Sequence, residues 1–323
     1  MRTQELGSSS LAVTRIAYGC MEIGGDWSDS PTTAEVRSKG LRVVEAALDE
    51  GINFFDHADI YARGKSEEVF SQIWQARPGL RDKILVQSKC GIRFENDPTP
   101  GLPARFDFSA EHILRSVEGS LKRLQTDYLD VLLLHRPDTL VEPEEVAAAF
   151  DKLHEQGKVR FFGLSNHNAA QMALLQRYLN QPIVTNQMEL SLLHYQMIEE
   201  GIISNQDEPA QPVRGDGTLE YCRLHDITIQ AWSPLARGAA TGASDDPRHA
   251  ELTSLVRSMS EEKGVSGEAI ALAWILRHPA HIQPVIGTTN LGRIKGACEA
   301  DGVELSREEW YALYTAARGA RMP

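Results

Sequence analysis

The chain has 323 residues, of which 42% are hydrophobic, 24% charged and 7% aromatic, a globular composition that argues against a disordered, collagen-like or membrane-spanning protein. Lys and Arg number 33 against 45 Asp and Glu, and the formal net charge of -12 argues against nucleic acid as the main partner. Cys20, Cys90, Cys222 and Cys298 are widely spaced, with no C-x-x-C and no Cys/His cluster, so neither a metal site nor a redox dithiol is expected.

The first residues, Met1 to Leu6, show no apolar core followed by a cleavage site, and no apolar run approaches ~18 residues. With free thiols, this makes a cytoplasmic location the expectation. Glu5-Leu6 and Leu11-Ala12-Val13 are expected to pair as a hairpin around Gly7-Ser8-Ser9. Eight short apolar runs follow, each read as a buried parallel strand: 15–18, 53–55, 84–88, 131–134, 161–164, 183–186, 227–231 and 283–286.

The intervening stretches read as helices. Over 109–124, Ile113, Leu114, Val117, Leu121 and Leu124 share one face behind a Ser109 cap. Over 143–156, Pro143 takes a first-turn position, Val146, Phe150 and Leu153 form the stripe, and Gly157 stops it. Asn168 and Ser266 are expected to cap two more helices, and Ser306 with Glu309 forms a capping box for the last. Eight strand–helix units without a linker predict one domain over 1–323, an α/β (β/α)8 TIM barrel with an N-terminal β-hairpin. A doubly wound sheet is the competitor, but no G-x-G-x-x-G follows any strand. The longest non-periodic stretch, roughly 194–216, reads as a lid, a binding loop or a disordered segment.

In such a barrel the site forms where the strands end. Those ends carry Gly19-Cys20-Met21, Asp56 to Tyr61, Lys89-Cys90-Gly91, His135-Arg136, Ser165-Asn166, Gln187, Trp232 to Leu235, and Gly287-Thr288. Any one Lys, His or Asp there is ordinarily just a strand leaving the core. An Asp, a Lys and a His ending three consecutive units converge on one mouth. A buried Lys89 needs a counter-charge, which Asp56 can supply. A tyrosine titrates near ≈10, and an ammonium beside Tyr61 is expected to lower that value. Tyr, Lys, Asp and His without metal ligands or an activated nucleophile suggest carbonyl chemistry, which needs a hydride source from outside the protein. Ser165, Asn166 and Gln187 offer amide-matching hydrogen bonds, and Trp232 offers a stacking face.

These motifs make the chain resemble the aldo-keto reductase superfamily from Gly19 to about Ala297. They are Asp56-His57-Ala58-Asp59-Ile60-Tyr61, Ser88-Lys89-Cys90-Gly91, Leu132-Leu133-Leu134-His135-Arg136-Pro137, the run from Gly157 to Asn166, Thr185-Asn186-Gln187-Met188-Glu189 and Ala231-Trp232-Ser233-Pro234-Leu235. The wording is most similar to the bacterial YdhF-type oxidoreductases. The resemblance implies a barrel that binds NADP(H) in extended form and reduces aldehydes or ketones, with a small-molecule carbonyl substrate and no metal. It implies Tyr61 as general acid/base, Lys89 tuning it, Asp56 holding Lys89, and His135 orienting the carbonyl. It also implies Ser165, Asn166 and Gln187 on the carboxamide and Trp232 on the nicotinamide ring. Ser233, Pro234, Leu235 and Gly238 would line the pyrophosphate, and Thr288 and Arg293 the 2′-phosphate. Gly19, Cys20, Met21 and Asp56 join the cofactor set, and Trp27, Tyr61 and His135 the substrate pocket.

Two positions depart from the family's pattern. Gly287 stands where many members have Lys, and Ala297 where many have Asn or Gln, leaving Arg293 alone for the 2′-phosphate. Arg binds phosphate bidentately, so NADPH is preferred over NADH. His57 replaces a commoner Thr. Two rival readings stay open: a Schiff-base lyase using Lys89, and a cofactor-binding regulatory subunit with little turnover. Gly64-Lys65-Ser66 fails as a P-loop, and Ser66 reads instead as a helix cap.

Overall fold

A computed structural model describes residues 1–203, 215–244 and 246–322. Its centre is a closed barrel of eight parallel strands: β3 (Ala17–Gly19), β4 (Phe54–Asp56), β5 (Leu85–Cys90), β8 (Leu129–Leu134), β9 (Val159–Ser165), β10 (Ile183–Glu189), β11 (Thr228–Trp232) and β12 (Gln283–Ile286). β12 pairs back onto β3 through Val285↔Ala17 and Ile286↔Tyr18, which closes the ring. The chain is thus an α/β (β/α)8 TIM barrel. The remaining strands form two antiparallel pairs. β1 (Thr3–Glu5) pairs with β2 (Ala12–Thr14) as the expected N-terminal hairpin, and β6 (Ile92–Arg93) pairs with β7 (Arg105–Phe106) in the loop after β5.

Helices wrap the barrel. They are α1 (Ala34–Asp49), α2 (Lys65–Phe70), α3 (Ile73–Ala76), α4 (Ala110–Leu124), α5 (Pro143–Glu155), α6 (Ala169–Gln176), α7 (Gln196–Ile202), α8 (Thr218–Leu224), α9 (Ala250–Lys263), α10 (Gly267–Leu276), α11 (Leu291–Cys298) and α12 (Arg307–Arg318). Ser109, Asn168, Ser266 and Ser306 each accept from the third residue of their helix, and reciprocal capping boxes form at Asn168/Gln171 and Ser306/Glu309. The strand residues that face the helices join the helices' buried faces in one large core, where Trp274 stacks on Trp310 at 5.1 Å. A second core lies inside the barrel floor, where Leu6, Leu11 and Val13 of the hairpin meet Ala17, Phe54, Val131, Leu133, Val184 and Val285.

Three expectations need correction. The 194–216 stretch does not begin as irregular chain: Gln196–Ile202 is helical and buries Met197, Ile198 and Glu199. Residues 204–214 of that stretch lie outside the described residues. Ser66 caps nothing. It sits inside α2, fully buried, and donates to the Met21 carbonyl. Finally, the strands are not wholly apolar, because β5, β11 and β12 each carry a buried glutamine.

Candidate active site

The strand ends bring the expected residues to one face of the barrel. Gly19 and Asp56 are in register on β3 and β4, and Cys20 donates its backbone N–H to the Asp56 carbonyl at 2.8 Å. Lys89, fully buried on β5, is held by three acceptors. Its Nζ donates to Asp56 Oδ2 at 2.7 Å, to the His57 carbonyl at 2.8 Å and to Tyr61 Oη at 2.9 Å. His135, at the end of β8, lies edge-on to the Tyr61 ring at 5.9 Å. Its Nδ1 is buried without a hydrogen-bond partner among the described residues.

Electrostatics sets the protonation states. Burial alone would lower Lys89, but Asp56 and Tyr61 together raise it above the usual lysine value, so the ammonium persists. Burial pushes Tyr61 up, and this outweighs the opposing pull of Lys89. The lowering expected from the ammonium is therefore present but not dominant, and Tyr61 stays a phenol with a proton to give. Burial, reinforced by Lys89 and Arg136, drives His135 well below its ordinary value and keeps it neutral.

The opposite wall carries the amide set. Ser165 Oγ donates to the Gln187 carbonyl at 3.0 Å, and Asn166 Nδ2 donates to Ser165 Oγ at 2.9 Å and to the His135 carbonyl at 3.3 Å. Trp232 Nε1 donates to Asn166 Oδ1 at 3.0 Å, which fixes the half-buried indole. Ser233, Leu235 and Gly238 are half-buried and Pro234 buried in the loop beyond. Backbone strain gathers at these ends. Ala62, Arg63, Asn166, Ser233, Ala236 and Arg237 all have left-handed φ between 46° and 61°. Leu235 at φ -108 followed by Ala236 at φ 46 is the right-then-left alternation from which anion-binding nests are built.

The periphery is looser. Met21 and Trp27 are exposed at the rim, and Trp27 is tied to the turn after Tyr61 because its carbonyl accepts from Arg63 Nε at 2.9 Å. Thr288 Oγ1 accepts from Asn290 N–H at 3.2 Å. Arg293 lies in the first turn of α11, more than half exposed, with Glu268 Oε1 3.6 Å from its Nε. One residue not singled out from sequence joins the mouth: Arg136, whose guanidinium lies 5.7 Å from the centre of the Trp232 ring. Its position directly after His135 was the available signal. Among the described residues no group of three His, Cys, Asp or Glu is placed to hold a metal, and no helix is long and apolar enough to cross a membrane.

A barrel whose strand ends join a buried lysine, an aspartate, a tyrosine and a histidine on one wall to an amide-lined shelf on the other has the layout of a nicotinamide-dependent carbonyl oxidoreductase. The chain belongs to the Aldo/keto reductase family, which it matches over residues 15–317. It is similar to the 6-dehydroglucose reductase of Agrobacterium fabrum, 38% identical over 97% of each chain. Similarity to the oxidoreductase YdhF of Escherichia coli is 37% over 87% of this chain and 88% of that one. Among solved structures, the glycerol dehydrogenase AKR11B4 of Gluconobacter oxydans superposes with a TM-score of 0.80 at 26% identity, covering 97% of this chain and 94% of that one. The protein is therefore an enzyme of the oxidoreductase class, acting on small molecules with a nicotinamide cofactor.

Proposed function

We propose that the protein is an NADPH-dependent reductase of aldehydes or ketones in which Tyr61 is the proton donor. The observation that carries this reading is Lys89 Nζ, fully buried and shared between Asp56 Oδ2 and Tyr61 Oη. The residues present fit the cofactor. Ser165, Asn166 and Gln187 match a carboxamide in hydrogen-bonding type, Trp232 supplies a fixed flat face, and the 233–238 backbone suits phosphate oxygens. When bound, the cofactor supplies the hydride that the side chains lack.

The chain's own residues handle the proton. Neutral His135 donates a hydrogen bond to the carbonyl oxygen and holds it beside Tyr61. Tyr61 gives its proton to that oxygen as charge develops there. The phenolate left behind faces the Lys89 ammonium, which Asp56 keeps charged. The same arrangement disfavours a Schiff-base role for Lys89, since a charged amine with three acceptors is not a nucleophile.

Support for NADPH over NADH rests on Arg293, with Thr288 beside it, and Glu268 weakens that support by competing for the guanidinium. A panel of aldehydes and ketones, followed by cofactor absorbance with NADPH and with NADH, tests the whole reading. Turnover with NADPH that disappears in Tyr61→Phe is the expected result. A panel without turnover above the Tyr61→Phe background would favour a regulatory subunit instead.

A further inference from the structure

The interior of a parallel barrel is ordinarily filled by layers of branched apolar side chains. Here one layer is built of amides. Gln187 on β10, Gln230 on β11 and Gln283 on β12 are neighbours in register, and Gln87 on β5 is in register with Asp56 on β4. All four glutamines are at most 2% exposed. Gln87 Nε2 donates to Asp56 Oδ1 at 2.6 Å and, across the barrel, to Gln230 Oε1 at 2.9 Å. Gln230 Oε1 also accepts from Gln187 Nε2 at 3.1 Å. Gln230 Nε2 donates to Gln283 Oε1 at 2.9 Å, and Gln283 Nε2 donates to the Thr14 carbonyl at 2.7 Å.

The two ends of this chain dictate the direction of every amide in it. A carboxylate and a main-chain carbonyl only accept, so Gln87 must turn its NH2 to Asp56 and Gln283 its NH2 to Thr14. Gln230 then has one arrangement that avoids setting oxygen against oxygen. Gln187 in turn commits an N–H to Gln230. The arrangement is costly, because Gln87 Oε1 is buried without a partner among the described residues. An apolar layer would stabilise the barrel at least as well. What the amides add is a fixed donor on Asp56 Oδ1, the oxygen that Lys89 leaves free.

Resting on the reading of Asp56, Lys89 and Tyr61 as the proton-transfer set, we infer that Gln87 is a positioning residue of the reaction. It fixes the Asp56 carboxylate so that Oδ2 meets Lys89, and through Gln230 it ties that carboxylate to Gln187 on the cofactor wall. The Gln87 N–H also disperses the carboxylate's charge. Without it, the charge of Asp56 bears more fully on Tyr61 and holds the phenolic proton more tightly. In alcohol oxidation Tyr61 must accept a proton, so the rise of rate with pH moves upward.

The test compares wild type, Gln87→Leu and Gln87→Glu in both reaction directions. For Gln87→Leu, kcat should fall about tenfold with NADPH affinity within about twofold of wild type. The rise of oxidation rate should move up by about half a pH unit or more, a change that a purely structural role does not produce. Gln87→Glu should rescue reduction at pH 6, where its protonated carboxyl replaces the lost donor. It should keep that activity toward pH 8, because burial and the adjacent Asp56 carboxylate both hold the introduced carboxyl's proton. A Gln87→Leu profile that coincides with wild type, at a kcat within about threefold, overturns the inference alone. If Gln87→Leu does not fold, a Gln87→Glu variant whose kcat for reduction at pH 6 is more than about tenfold below wild type overturns it, since the replaced donor then restores nothing. A wild-type protein without cofactor-dependent turnover overturns the parent reading, and this inference with it.

Discussion

The two ends of the site are built differently. At the end proposed for catalysis, Asp56, His57 and Lys89 are at most 2% exposed, and Lys89 ties Asp56, His57 and Tyr61 together by hydrogen bonds of 2.7 to 2.9 Å. At the end proposed for the adenosine, Arg293 stands more than half in solvent with a carboxylate 3.6 Å away. Burial magnifies every charge at the first end, and water and Glu268 damp them at the second. On the proposed reading, the chemistry falls where the protein fixes protonation. On the same reading, cofactor choice rests on contacts that a few surface changes can retune.

The largest expected effects are therefore at the catalytic end. Tyr61→Phe should lower kcat by about 10²–10⁴ while cofactor affinity holds, since only the proton donor is removed. Steady-state rates beside a fluorescence titration of Trp232 quenching separate the two quantities. A variant keeping more than about a tenth of wild-type kcat would break the assignment, as that is only ~1.4 kcal/mol of barrier. Lys89→Met should lose activity similarly but also melt earlier, because Asp56 is then a buried charge without its cation, a loss of about 3–5 kcal/mol. Equal melting temperatures for the two variants would contradict the buried-pair account.

A middle-sized effect concerns His57. The ring lies 4.5 Å from Phe70, edge-on, with neither nitrogen hydrogen-bonded among the described residues, and burial drops it from 6.5 to about 3. Folding thus favours the neutral ring. Its contribution to stability is complete above pH 6.5 and is lost as pH falls toward 3. At pH 5 the loss amounts to ~2 kcal/mol, and His57→Leu should abolish it. Denaturant unfolding at pH 7.5 and pH 5 measures the difference, and equal pH slopes in the two proteins would sink the idea.

The smallest effects belong to the adenosine end. Arg293→Ala should weaken NADPH by about tenfold at most and leave NADH nearly unchanged. Glu268→Gln should tighten NADPH by about twofold to fivefold by freeing the guanidinium. Dissociation constants for both cofactors in both variants decide this. Equal weakening of NADPH and NADH in Arg293→Ala would remove the main reason for preferring NADPH.

The convergence of residues at the end proposed for catalysis was also the more legible in sequence. Asp56, Lys89 and His135 each follow a short apolar run, and a closed barrel can only bring such strand ends together. Ser306/Glu309 announced the last helix because a capping box is local chemistry. The amide layer stayed hidden, because Gln87, Gln230 and Gln283 sit inside apolar runs where alternation cannot say which face is the barrel lumen. α1 escaped notice for another reason. Gly40 interrupts its centre, and only the fold shows why: a Cβ there would lie 2.3 Å from Val69 Cγ1. The pull of Lys89 on Tyr61 is legible in sequence and present, but the burial that outweighs it is not legible there.

The N-terminal hairpin that floors the barrel has a consequence for the order of assembly. Asn53 holds the hairpin nearby, accepting from Thr14 N–H at 2.8 Å and donating to the Ala12 carbonyl at 2.9 Å, but other anchors lie far downstream: Gly7 N–H donates to Thr228 Oγ1 at 2.7 Å, and the Thr14 carbonyl accepts from Gln283. Gly7 itself approaches the Val184 carbonyl so closely that a Cβ would sit 2.1 Å from it. The hairpin can therefore meet Asn53 before the later strands exist, but it cannot complete its seating without β10, β11 and β12. Those later contacts span sequence separations of more than 170 residues and are of the kind that slow folding. Leu6, Leu11 and Val13 meet Ala17 and Phe54 but are fully covered only with Val184 and Val285 in place, so the ring and its floor complete together.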